Sequence, residues 1–397
     1  MKKLFILGII ILVGLVSVPI IWNSTDDLTT AGLVTISDSL PGRGTGVSFS
    51  SDNNYMFVSH MTTPFISIYE RNDDTFTKMA DLTDLPTGNG YDIDITDDNA
   101  YLAVGVYGTS PYIAIYKRNG TTFDKLPDPV DIPIAGALCV EFSHSGIYLA
   151  VGVESLTKGL VIYKRSGDTF TKLADPTSIN TYFQDLVFSS DDRFLIVAAN
   201  DLKVYIRSGD VFSFSAVSID VQPPGSCYSV DFTSDDTYLA VGTQSSPFIN
   251  IYSRAGDTFT KLTDPDILPT GGIVNALQFS NSDDYLVTTQ NTTPFVNIYE
   301  HNLGALTKLP SPTVLPAGWG YDVSFSPDDT YLAVAHDGVG APRLIVYKRS
   351  GDVFATAWPG ILHDTTAGKL VDLLPTLFVI GIVAGVAGYL IFKKKQE

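Results

Sequence analysis

Tyr101-Leu102-Ala103-Val104-Gly105 decides how this chain is read, because the phrase comes back. It recurs at Tyr148 and Tyr238, and as Tyr331-Leu332-Ala333-Val334-Ala335. Looser copies start at Tyr55, Phe194 and Tyr285. The spacings between the seven anchors are 46, 47, 46, 44, 47 and 46 residues. Self-similarity at a fixed period of this length marks a repeat architecture.

Each unit reads as four short strands, A to D. Strand A ends six residues before the anchor, at Phe49, Ile95, Phe142, Phe188, Phe232, Phe279 and Phe325. A polar turn such as Ser326-Pro327-Asp328-Asp329 leads to strand B, which begins at the anchor. Strand C ends in an apolar-Tyr pair, as in Ile162-Tyr163 and Val346-Tyr347. A hairpin turn such as Arg165-Ser166-Gly167-Asp168 leads to strand D, its glycine supplying the positive φ of a tight turn. The 44-residue spacing follows from a short B–C loop in the fourth unit, Asn200-Asp201-Leu202-Lys203.

A four-stranded sheet with two apolar faces cannot bury either alone. Radial stacking buries both and leaves only short edges. The expected fold class is therefore all-β: a seven-bladed β-propeller of four-stranded antiparallel blades over residues 31–358. The units resemble WD40-type repeats, in a divergent wording (FSPDDTYLAV…IYKRSGDTFTKL) that occurs in bacterial and phage surface or virion proteins. No unit ends strand C with Trp-Asp, the pair that gives those repeats their name. The resemblance implies a fold and not a eukaryotic scaffold role.

Two terminal segments compete for the last strand of the seventh blade, residues 33–37 and residues 353–357. Interlocking the chain ends ties a ring shut, so the N-terminal segment is expected to close it. Both ends would then leave from the face of the A–B and C–D turns.

Residues 4–22 and 373–392 carry no charge and are flanked by Lys2 and Lys3 and by Lys393, Lys394 and Lys395. Helices of that length span about 30 Å, the thickness of a hydrocarbon core. The basic flanks place both ends in the cytoplasm and the repeats outside. The chain then divides into residues 1–30 (membrane anchor, or alternatively cleaved signal peptide, with linker), 31–358 (propeller), 359–372 (linker), 373–392 (transmembrane helix) and 393–397 (basic cytoplasmic tail). Gly381 and Gly385, with Ala384 and Gly388, have the small-residue spacing that lets membrane helices pair into a homo-oligomer.

Composition narrows the function. The formal charge is −18, and residues 31–358 hold 38 acidic against 19 basic residues, which argues against nucleic acid as a partner. Two Cys, Cys139 and Cys227, make no disulfide scaffold. The chain has no H-E-x-x-H, G-x-S-x-G, P-loop or C-x-x-C motif. No catalytic residue is assigned, and the expectation is a protein that is not an enzyme.

Residues common to all seven units serve the fold, and those that differ are available for binding. The A–B and C–D turns are nearly uniform, whereas the B–C and D–A loops vary and should form one rim. Gly318-Trp319-Gly320-Tyr321-Asp322 enters the seventh blade as Gly88-Asn89-Gly90-Tyr91-Asp92 enters the second. His60 and His336 stand five residues after their anchors. The expected ligand-binding rim is His60, Tyr91, Asp92, Tyr107, Trp319, Tyr321, Asp322 and His336, with aromatic area and hydrogen-bonding acids for a protein or glycan receptor.

Acids also fall on the innermost strands: Asp94, Glu141 and Asp231 at one position, and Asp92, Asp185 and Asp322 two residues earlier. The alternatives are a hydrated acidic channel or, through Asp94, Glu141 and Asp231, a Ca²⁺ site.

The function expected is a membrane-anchored, externally displayed binding module for attachment or adhesion, on a cell surface or a virion membrane. The alternatives are an exported propeller hydrolase or lactonase using a metal and the channel acids, and a membrane-assembly scaffold.

Overall fold

The computed structural model describes residues 34–155, 159–176, 183–215, 218–269, 271–338 and 342–356. The apolar segments 4–22 and 373–392 lie outside them. Among the described residues no helix is long and apolar enough to cross a membrane.

Seven antiparallel sheets are present, each running A-B-C-D outward. The fifth blade, Cys227–Phe232, Tyr238–Thr243, Ile249–Ala255 and Thr258–Lys261, is typical. Strand B is buried on both faces and reads as a continuous apolar run, as a sandwiched strand must. Apolar clusters form between consecutive blades, and one joins Val47 and Phe49 of the first blade to Ala333, Ala335 and Val346 of the seventh. The all-β, seven-bladed reading is thus correct.

The packing explains why the anchor is aromatic. Six of the seven anchor rings meet an aromatic on strand D of the next blade edge to face, among them Tyr101 on Phe170 at 5.8 Å, Tyr148 on Phe212 at 5.4 Å and Tyr331 on Phe76 at 5.3 Å, while Tyr238 meets His301 of strand C. An arginine of the next blade lies over the anchor's other surface, as Arg165 does over Tyr101 at 4.6 Å and Arg71 over Tyr331 at 4.5 Å. Four anchor hydroxyls donate to an aspartate of the next C–D turn, among them Tyr148 to Asp210 at 2.8 Å and Tyr285 to Asp352 at 2.6 Å. At those four junctions one residue joins a blade to its neighbour by three contacts.

The expectation about closure is overturned. Val353–Thr356 is the outer strand of the seventh blade. Thr35–Ile36 instead pairs parallel to Thr75–Lys78 as a fifth strand on the outside of the first blade. The physical reason is that Val34–Ser37 belongs to the connector entering blade one. The connector into blade five does the same, with Ile219 bridging Phe259 in parallel. The Tyr69 hydroxyl donates to Asp38 O at 3.1 Å as Tyr252 does to Val221 O at 2.9 Å. The likeness of Val34-Thr35-Ile36-Ser37 to Val217-Ser218-Ile219-Asp220 carried that signal. Because the added strand is parallel, the chain enters from the C–D side. It leaves Thr356 on the D–A side, so the first and last described strands do not begin and end on one face.

Candidate functional site: the channel and its collar

Strand A is the inner edge of every blade, and alternate N–H groups on it have no strand to bond. Side chains of the preceding blade fill that need. Asp92 Oδ2 accepts from Val140 N at 2.8 Å, Asp94 from Phe142 N at 2.7 Å, and Asp185 from Val230 N at 2.9 Å. Asp231 accepts from Phe279 N at 2.7 Å and Asp322 from Val47 N at 2.7 Å. Gln278 does the same for Phe325 N, and Ser229 for Leu277 N. The channel acids are acceptors that staple blade to blade. Glu141, one methylene longer, makes no hydrogen bond among the described residues.

Burial raises all six carboxyls. Asp185 is pushed up to about 6, Asp94 and Asp322 to about 7, and Asp231 to about 8. Asp92 and Glu141 are also held well above the carboxylate range by burial and then by neighbouring acids, Asp322 beside the first and Asp94 beside the second. The waist of the channel, about 120 Å³, is lined by these six acids, with Val47, Ile93, Val140 and Leu186 in its walls. Among the described residues no three His, Cys, Asp or Glu side chains are placed to hold one metal ion.

The channel opens at the D–A end into a cavity of about 220 Å³. One residue per blade, ten before each anchor, forms its collar: Thr45, Tyr91, Leu138, Gln184, Tyr228, Asn275 and Tyr321. In six blades this residue is a β-bulge, the one skipped in the A–B pairing, as Tyr91 is between Gly90 and Asp92. A bulge re-aims a side chain. In the fourth blade the described A–B pairing begins at Asp185, and Gln184 stands just ahead of it. Gly90 and Gly320 precede the tyrosine bulges because the carbonyls of Phe65 and Phe295 press where a Cβ would be.

The rim residues expected from sequence divide accordingly. Tyr91, Asp92, Tyr321 and Asp322 meet in the collar cavity. Tyr107 lies against Tyr91 with ring centres 5.4 Å apart and donates to Glu154 at 2.7 Å. Trp319 is 48% exposed beside the collar, its backbone N–H held by Asp337 at 2.8 Å. His60 and His336 are fully buried. His60 Nε2 pairs with Ser67 Oγ at 3.1 Å, His336 Nδ1 accepts from Gly338 N at 3.1 Å, and burial pulls both down to about 4. They are neutral core groups at physiological pH. Arg43, outside the expected set, lies over the Tyr321 ring at 4.5 Å and donates to its hydroxyl at 3.1 Å.

Sequence reading missed Tyr228, Leu138, Gln184 and Asn275. Their fixed offset from the anchors was the available signal. It also treated the B–C loops as all different, yet four share one turn, Thr63-Pro64-Phe65, Ser110-Pro111-Tyr112, Ser246-Pro247-Phe248 and Thr293-Pro294-Phe295. In each the aromatic residue has a φ between 64° and 70°. Cys139 and Cys227 are buried and unpaired with each other.

The geometry defines a seven-bladed propeller with a polar, acid-lined axis and an aromatic collar at one mouth. No protein-family model and no curated protein matches the chain. Solved structures of WD40-type propellers share its fold. One is a chain in a crystal structure of a mitotic checkpoint complex, with a TM-score of 0.58 and 16% identity over 75% of this chain and 90% of that one. Another is the β-propeller domain of Cps50 (Swd1) from Myceliophteria thermophila, with a TM-score of 0.59 and 12% identity over 79% of this chain and all of that domain.

Proposed function

We propose that this protein is a non-enzymatic binding module, carried on the outer side of a membrane by its two apolar terminal segments, that engages a protein or glycan receptor through the collar face. The observation that carries the reading is the bulged collar. Six blades insert an extra residue at the collar, and three of those residues are the tyrosines Tyr91, Tyr228 and Tyr321. Tyrosine combines apolar area with a hydroxyl at low conformational cost, which suits a contact surface. The exposed Trp319 extends that surface. The acid excess favours neutral glycans or basic protein patches over acidic partners. Five of the six acids beneath the collar are engaged as staples, which leaves them poorly placed for general acid–base work.

The test is a glycan and protein binding screen with the full chain in detergent micelles, beside the Tyr228→Ala variant. Binding that is lost in the variant supports the reading. Turnover of a glycoside or lactone panel, or binding indifferent to every collar tyrosine, overturns it.

A further inference from the structure

The A–B turns form a second ring of inter-blade contacts, and it has one gap. In every turn the residue two before the anchor has a positive φ between 52° and 63°: Asn53, Asn99, Gly146, Asp192, Asp236, Asp283 and Asp329. Six of these side chains accept a backbone N–H from the preceding blade. Asn99 takes Ser51 N at 2.8 Å, Asp192 takes Ser145 N at 3.3 Å, and Asp236 takes Ser190 N at 2.9 Å. Asp283 takes Ser234 N at 2.8 Å, Asp329 takes Asn281 N at 2.8 Å, and Asn53 takes Asp328 N at 3.3 Å.

Gly146 has no side chain to offer, so the junction between the second and third blades lacks this clamp. In its place His144 Nδ1 lies 3.1 Å from Asp97 Oδ2. We propose that this pair is a proton-operated clasp at the one junction where the repeat leaves the A–B face unclamped.

The six clamps are carboxylate or amide oxygens accepting backbone N–H groups, and none involves an imidazole. The imidazole–carboxylate bond differs in kind, because protonation of the ring turns its hydrogen bond to the carboxylate into an ion pair. The surroundings favour the proton. Asp97 faces His144 from the second blade, Asp192 and Asp236 from the fourth and fifth, and Asp94 from the strand below. The nearby cation, Arg165, is turned away: its Nε donates to Gly146 O at 2.6 Å and its Nη2 lies 3.9 Å from Asp98. The Asp97 bond raises His144 above its ordinary value, followed by the opposing effect of burial. A His raised in the folded state contributes stability that is complete below about pH 6.5 and is lost as pH rises through the folded value. The clasp is closed in acid and slackens as pH rises through that raised value. His144 and Asp97 also line the vestibule of about 320 Å³ on this face, so the clasp sets how firmly that mouth is held.

The test is hydrogen exchange on the full chain at pH 5.5 and 8.5, corrected for intrinsic rates. Residues 96–100 and 143–147 are compared with the amide-clamped turns 189–193 and 233–237. Protection of the first pair relative to the second should fall about fivefold at the higher pH, the size of an exposed charge-assisted pair. His144→Gln should remove that dependence. Gly146→Asn should install the missing acceptor and protect the junction at both pH values. Asn tolerates this φ, and its Cβ would meet the flexible Arg165 Nη2 at 3.2 Å. A wild-type ratio that does not change with pH, or a dependence that survives His144→Gln, overturns the proposal. If Gly146→Asn does not fold, the His144→Gln comparison decides alone.

Discussion

Asp322 Oδ2 accepts the Val47 N–H at 2.7 Å across 275 residues of sequence, joining the innermost strand of the last blade to that of the first. No strand is exchanged at this junction. The ring is held shut by the same kind of staple that joins Asp92 to Val140 and Asp231 to Phe279, with Lys348–Asp74 at 2.7 Å and Arg71–Asp328 at 3.0 Å on its outer side.

Asp322→Ala leaves the Val47 N–H without its acceptor and should lower stability by about 1–3 kcal/mol. Asp322→Asn keeps an acceptor oxygen and should lose much less. Urea midpoints at one pH check this. Equal losses for the two variants would mean that the charge, and not the acceptor, closes the ring.

The channel acids predict unusual pH behaviour. Asp185, Asp94, Asp322 and Asp231 have folded values from about 6 to about 8, against about 3.9 for an unfolded chain. The folded ring therefore holds protons that the unfolded chain releases. Their contribution is complete below about pH 4 and declines as pH rises through that range. His60 and His336, held at about 4 against about 6.5 unfolded, act in the opposite sense, losing stability as pH falls from about 6.5 to about 4. The acids outnumber them, so the melting temperature should already decline as pH rises from about 4 and be lower at pH 8 than at pH 6. Calorimetry across that range gives the answer.

Asp231→Asn isolates the same effect at one residue. The amide oxygen still accepts from Phe279 N and carries no charge. The variant should be more stable than wild type by about 1 kcal/mol at pH 8, with the gain vanishing toward pH 4. A gain of equal size at both pH values would place its origin in packing.

Collar and rim should separate in binding experiments. Tyr228→Ala and Tyr321→Ala should each weaken receptor binding by about 2 kcal/mol, roughly thirtyfold, with the melting curve nearly unchanged. Trp319→Ala is expected to act by the same order, through an exposed side chain. An unfolded Tyr228→Ala would make the collar a structural element.

Gly136 permits a close contact beside the collar, since a Cβ there would lie 2.6 Å from the Tyr107 ring. Gly136→Ala should cost about 1–3 kcal/mol by overpacking and should displace Tyr107 from Tyr91. Thermal melts with receptor titration would show both effects, or neither if the strand shifts to make room.

The local sequence determined the blade. Seven anchors, seven apolar-Tyr pairs and seven polar turns are short-range patterns, and the 46-residue period follows from them without reference to the rest of the ring. Burial of both sheet faces then requires neighbours on each side, which makes closure a consequence of composition. Long-range pairing decided the remainder. Residues 33–37 and 353–357 alternate in the same way, and only the position of the open sheet edge determines that Val353–Thr356 closes the ring while Thr35–Ile36 lies outside blade one. Tyr91 and Tyr321 are ordinary strand residues until the partner strand skips them, because a bulge is a property of two strands and not of one. His60 and His336 look like rim residues by position, yet the sheet they belong to is covered on both faces, so burial and not loop variation sets their charge. The inner acids look like ligands for a cation in one dimension. In three, the unpaired N–H groups of the next blade reach most of them first.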